Sequence, residues 1–186
     1  MTEKFDISGL WQGETVAILG AGPDMTEELA EKALQYKTIA VNRAIKFAPN
    51  ADMFVALDPL HPFWEAAENF KGIKICGVEC EYDAYYLGMF YETVRISNTE
   101  TLQIRNNALA AIRIAVMAGA TKLLLLGFDP ERYEEIHFKK CGFYGFKQGL
   151  EQVIAELTGK GIEIERIDSE EQFFGKPAQK RNVRKS

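Results

Sequence analysis

The run "VAILGAGPDM", residues 16–25, sets the reading of this chain. Four apolar residues of strand length enter two glycines and a proline, and an amphipathic stretch follows. Glycine permits tight turns and close approach of the backbone to a neighbour, and Pro23 with Asp24 suits the start of a helix. Free N–H groups at such a start favour an anion, most simply a phosphate. The pattern is GxGP and lacks the third glycine of a dinucleotide fingerprint. Asp24 also puts a negative charge where a pyrophosphate would lie. Gly20, Ala21, Gly22 and Pro23 are therefore candidate nucleotide contacts, and a turn needed only for tight packing is the plainer alternative.

Working outward, similar runs recur along the chain: "TVAILG" (15–20), "TIAVN" (38–42), "DMFVAL" (52–57), "IKICGV" (73–78), "TVRIS" (93–97), "KLLLLGF" (122–128) and "IEIERI" (162–167). Several are apolar on consecutive residues, as strands covered on both faces must be. Helical periodicity lies between them, over 26–36, 106–120 and 146–161, and a further helix is expected to set Phe63, Ala67 and Phe70 on one face. Strands alternating with helices predict an α/β fold, a Rossmann-like, doubly wound and mainly parallel sheet with helices on both faces. No internal repeat or linker interrupts it. The expected organisation is one domain over 1–175 and a basic tail over 176–186.

In such sheets ligands bind beyond the carboxyl ends of the strands, so the residues just after each strand are the ones to weigh. Asn42 and Arg43 follow the second strand. An Asn there can donate and accept at once, reading a ribose hydroxyl or a base edge, although Asn also suits turns and caps. Dinucleotide-binding folds place an acid at that position for the ribose of NAD, and its absence lowers the NAD reading. Asp58 follows the third strand and fits a base, a metal ligand or a helix cap. His61, between Leu60 and Pro62, reads as a loop residue. Asp129 follows "LLLLGF" and opens a segment of about fifteen residues before the next helix, a length usual for functional loops. That segment holds Tyr133, His137, Lys139, Lys140, Cys141 and Tyr144. His137 is a candidate general base, and the lysines are candidates to face phosphate.

Composition narrows the classes. The 186 residues are 47% hydrophobic and 26% charged, which is ordinary for a globular domain. No apolar run reaches the ~20 residues of a membrane span, and the N-terminus lacks a signal-peptide pattern. Cys76, Cys80 and Cys141 are odd in number, which argues against a disulfide framework and predicts a cytoplasmic protein with free thiols. Two distant histidines and scattered cysteines lack zinc-ligand spacing. The last eleven residues hold five of the 22 basic residues and no acid, so the rest carries a net charge of −10 against −5 for the whole chain. That tail reads as a solvated segment, or as an arm that contacts an anionic partner. Self-association is left open.

Taken in order, "AILGAGPDM", "IAVNRAIKFAPNADMFVALD" and "AGATKLLLLGFD" with a following histidine resemble the MptE-like and motility-accessory-factor family. That family has a Rossmann-like fold and is similar to bacterial sialyltransferases that use CMP-activated sugars. The resemblance spans roughly residues 13–168. It implies that Gly20, Gly22, Pro23 and Asn42 hold a nucleotide, that His137 is the general base, and that Tyr133 or Tyr144 serves the departing phosphate. Ala21 stands where the family often has asparagine, and Asp24 where it usually has serine. Short relatives of this kind look like phage-encoded or cell-surface biosynthesis proteins.

Three functions follow as expectations. The first is a nucleotide-dependent transferase, glycosyltransferase-like, that takes a sugar from a nucleotide-sugar donor with His137 as base. The second is a Mg²⁺-dependent diphosphotransferase acting on a pterin-like alcohol, with Asp58 and Asp129 as metal ligands. The third is a protein that binds and sequesters a nucleotide without chemistry.

Overall fold

The computed structural model describes residues 6–59, 62–79, 81–87, 90, 92–95, 101–130 and 145–167. Seven strands form one parallel sheet: β1 (Thr15–Leu19), β2 (Lys37–Val41), β3 (Met53–Ala56), β4 (Ile73–Cys76), β5 (Tyr85–Tyr86), β8 (Lys122–Leu126) and β9 (Glu163–Ile167). Their order is β5-β4-β3-β2-β1-β8-β9. The register is continuous through the centre, where Ile18 of β1 pairs with Ile39 of β2 and with Leu125 of β8. The fold class read from the sequence is therefore the one observed. The chain steps outward from β1 to β5 on one side and returns to β8 on the other. The strand order thus reverses between β1 and β8.

Both faces of the sheet are buried because successive side chains alternate. Val16, Ile18, Ile39, Val41, Met53, Val55, Leu123 and Leu125 join one core with helices α3 (Asn107–Met117) and α4 (Phe146–Gly159). Ala17, Leu19, Ala40, Phe54 and Ala56 join the other with α1 (Glu27–Ala33) and α2 (Phe63–Ala66). Before β1, Ile7 and Trp11 belong to the first core. Trp11 is 4% exposed, and its backbone N–H donates to the Ala118 carbonyl at 2.7 Å, closing the end of α3.

Four details differ from the sequence reading. Residues 93–97 were expected in the main sheet. Instead β6 (Glu92–Arg95) pairs antiparallel with β7 (Thr101–Ile104) in a separate hairpin. It is held to α4 by Gln152, whose amide donates to the Thr93 carbonyl at 2.9 Å and accepts from the Arg95 N–H at 3.0 Å. Helix α1 starts after 26, because Thr26 caps it by accepting from the Leu29 N–H at 3.1 Å, and it ends at Ala33, short of 36. Helix α2 buries Trp64, not Phe63: Trp64 sits edge-on to Phe54 and stacks on Tyr82. The two-residue edge strand β5 had no sequence signal. Among the described residues no helix is long and apolar enough to cross a membrane.

Candidate functional site

The carboxyl ends of the strands bring together Gly20–Pro23 after β1, Asn42–Arg43 after β2, Leu57–Asp58 after β3 and Gly127–Asp129 after β8. The entry to α3 joins this edge, because Arg105 and Asn107 both reach Leu57.

The glycine turn is closed by the neighbouring strand. The Gly20 N–H donates to the Leu126 carbonyl at 2.7 Å and the Gly22 N–H to the Gly127 carbonyl at 3.2 Å. A Cβ on Gly20 would fall 2.5 Å from the Gly127 oxygen, and one on Gly22 would fall 2.6 Å from it. What comes close to this backbone is the β8 turn, as the packing alternative requires. The expected helix start at Pro23–Asp24 is a turn instead, in which the Met25 N–H donates to the Gly22 carbonyl. The two Asp24 carboxylate oxygens are shielded from solvent, and Oδ1 would lie 2.7 Å from a Cβ on Gly22. Glu27 and Glu28 occupy the first turn of α1. Negative charge thus surrounds the place where a helix start would attract an anion.

Asn42 is the unusual residue of this edge. With φ of 52°, it is the only non-glycine residue at positive φ among the described residues. Its Oδ1 is buried and accepts no hydrogen bond among the described residues. The backbone turns there into a short 3-10 helix, Asn42–Lys46, that buries Ala44 and Ile45. Next to it Arg43 is exposed and lies over the Phe63 ring at 5.9 Å.

The exit of β3 is held from both sides. The Leu57 N–H donates to Asn107 Oδ1 at 2.6 Å. The Leu57 carbonyl accepts from Arg105 Nη2 at 2.9 Å and from the Gly77 N–H at 3.2 Å. Asp58, one residue further, is exposed, and its carbonyl accepts from Trp64 Nε1 at 2.9 Å. Arg105, Asn106 and Asn107 were not singled out in the sequence. Asn106 had a recognisable role as the α3 cap, accepting from the Ala108 and Leu109 N–H groups. Nothing local marked the other two, whose partner is 48 and 50 residues away.

Asp129 is half-buried after β8. Three strand spacings separate the exits of β3 and β8, on the order of 14 Å. Among the described residues no group of three His, Cys, Asp or Glu side chains converges. His61, Tyr133, His137, Lys139, Lys140, Cys141, Tyr144 and the tail from 176 lie outside the described residues. Two other hollows are lined by different residues. One of about 190 Å³ is lined by Thr15, Tyr36, Lys122, Leu124, Glu165 and Ile167, and another by Thr93, Arg95, Thr101 and Gln152. No protein-family model matches the chain, and no characterised protein compared with it matches its sequence.

Proposed function

We propose that the carboxyl edge of this sheet binds a nucleotide, and that the chain transfers a group, most simply a sugar, from a nucleotide-activated donor to a hydroxyl acceptor. Asn42 carries the reading. A non-glycine residue in the left-handed region persists only where its surroundings over-determine it, and such positions cluster at ligand sites. A buried carbonyl oxygen with no donor costs about 1–3 kcal/mol. A ribose hydroxyl or a base amine that reaches Oδ1 as the residues around it move aside would remove that cost, which ties the strain to ligand binding. The place is right as well, one strand from the reversal of strand order between β1 and β8.

In this reading the β1 and β2 exits hold the nucleotide, and His137 takes the proton of the acceptor hydroxyl as the bond to the leaving nucleotide breaks. The role of His137 rests on the family resemblance and on the chemistry of imidazole. A thermal-shift screen of nucleotides and nucleotide sugars, with and without magnesium, tests the binding. Occupancy at 100 times the Kd should stabilise the fold by about 2.7 kcal/mol. No shift with any of them would overturn the reading. Binding without transfer to any hydroxyl acceptor would leave a sequestering protein.

A further inference from the structure

This inference rests on the nucleotide reading and concerns which part of the ligand each strand exit receives. Doubly wound proteins commonly seat a phosphate on the first βα turn. Here that turn is poorly prepared for one. The N–H groups of Gly20 and Gly22 are already donated to Leu126 and Gly127. Helix α1 has only seven residues, its Leu29 N–H is taken by Thr26, and Glu27 and Glu28 stand in its first turn. The Asp24 carboxylate lies against Gly22.

The charge changes one and two strands further along. Arg43 follows β2, exposed above Phe63, and Arg105 donates to the Leu57 carbonyl at the exit of β3. Among the described residues neither arginine is paired with a carboxylate. In contrast Lys32, Lys37, Arg113, Lys122 and Lys160 all are. The strands that carry these two exits are adjacent, about 4.8 Å apart. The α3 entry beside Arg105 has no acid in its first turn. Asp58 is a carboxylate at the same exit, and it is exposed. What sets these two apart is their place at adjacent strand exits, and the planar guanidinium fork suits phosphate oxygens.

We propose that a phosphate of the ligand is held by Arg43 and Arg105 at the exits of β2 and β3, while the uncharged, hydroxyl-bearing part lies over the β1 turn. Asn42 stands between them and its Oδ1 takes a hydroxyl or amine of that uncharged part. The ligand then runs along the strand ends in the direction opposite to that of a phosphate seated on the first glycine turn.

The test compares the four ribonucleosides with their 5′-monophosphates by calorimetry on the full chain. The quantity read is the gain in affinity that the phosphate brings. Arg43→Gln, a surface change, should cut that gain about tenfold, the scale of a charge-assisted hydrogen bond, and leave nucleoside affinity within about twofold. Arg105→Lys, which keeps a charge and a donor, should lose less than Arg105→Gln. Asp58→Asn should enlarge the gain, since it removes a like charge from that exit. A phosphate gain untouched by both arginines would overturn the proposal while leaving the nucleotide reading in place. So would a gain that rises in Asp24→Asn, because the phosphate would then lie at the glycine turn. Absence of binding by any nucleoside or nucleotide would overturn both.

Discussion

Gly20 and Gly127 face each other across the exits of β1 and β8, each filling the space that a side chain on the other would need. A Cβ on Gly20 would meet the Gly127 oxygen at 2.5 Å, and a Cβ on Gly127 would meet the Gly20 oxygen at 2.8 Å. Both obstacles are backbone atoms held at the ends of the central strands, so neither can swing aside. The glycines that open the sequence reading are therefore needed first to seat two strand exits together at the point where the strand order reverses. Ligand approach comes second.

This predicts that Gly20→Ala lowers stability by about 1–3 kcal/mol, the usual scale of overpacking. Gly127→Ala should cost more, because its φ of +70° adds left-handed strain to the clash. Denaturant unfolding measures both. Gly22→Val, aimed at ligand binding, should also destabilise, since its Cβ meets the Gly127 oxygen at 2.6 Å. Lost binding in that variant would say little about nucleotide contact. Wild-type stability in Gly20→Ala would show that the two turns separate easily.

Asn42 allows strain and ligand contact to be told apart. Asn42→Gly relieves the positive φ and removes Oδ1 together, so Tm should hold or rise while nucleotide affinity falls about tenfold, the scale of a lost hydrogen bond. Asn42→Ala keeps the strain and should lose about 1 kcal/mol of stability relative to Asn42→Gly. Equal nucleotide affinity in wild type and Asn42→Gly would remove Asn42 from the site.

Away from the site, Arg113 of α3 joins the hairpin to α4. Its Nη2 lies 2.6 Å from both Glu92 and Glu156, and the paired carboxylates hold its pKa well above the usual arginine range. Glu156 is pulled down from 4.5 to about 2, first by Arg113 and then by Lys160. A carboxyl whose pKa is lowered on folding stabilises the protein fully above about pH 4.5, and that contribution is lost as pH falls toward 2. Glu156 is more than a third exposed, so solvent screening keeps the effect modest. Arg113→Met should lower stability by about 1–3 kcal/mol by stranding the largely buried Glu92, and it should flatten the fall in Tm over that pH window. An unchanged Tm–pH profile in Arg113→Met would show that this ion pair carries no stability.

The parallel sheet was legible because burial on both faces forces consecutive apolar residues, as in "KLLLL" and "VAIL". The same rule explains the misplaced strand. "TVRIS" alternates apolar and polar residues, the pattern of a strand with one wet face, and β6 does leave the main sheet for a hairpin. That Asn42, Asp58 and Asp129 stand just past strand ends was legible because each follows an apolar run. The hold of Arg105 and Asn107 on Leu57 was not, because it joins residues about fifty apart through no periodicity. Nor could the sequence distinguish a glycine turn shaped for phosphate from one shaped for Gly127. That depends on which strand lies beside β1, and only the sheet order reveals it.

The proposed transfer is tested at His137. A hydroxyl acceptor is a poor nucleophile at neutral pH, and a positioned general base contributes about 10²–10⁴-fold in rate. Histidine, with an ordinary pKa of about 6.5, is the side chain suited to that task near pH 7, and His61 is the only other one in the chain. His137→Ala should therefore lower turnover by two to four orders of magnitude, while nucleotide affinity and Tm stay near wild type. His61→Ala should change turnover by less than about threefold, well below the effect of losing a base. The base must be neutral to accept a proton, so turnover should fall as pH drops through about 6.5, and the residual activity of His137→Ala should lack that step. Turnover and nucleotide affinity falling together would make His137 a binding residue. Turnover near wild type in His137→Ala would leave the base to Asp58 or Asp129, and Asp58→Asn and Asp129→Asn would then decide between them.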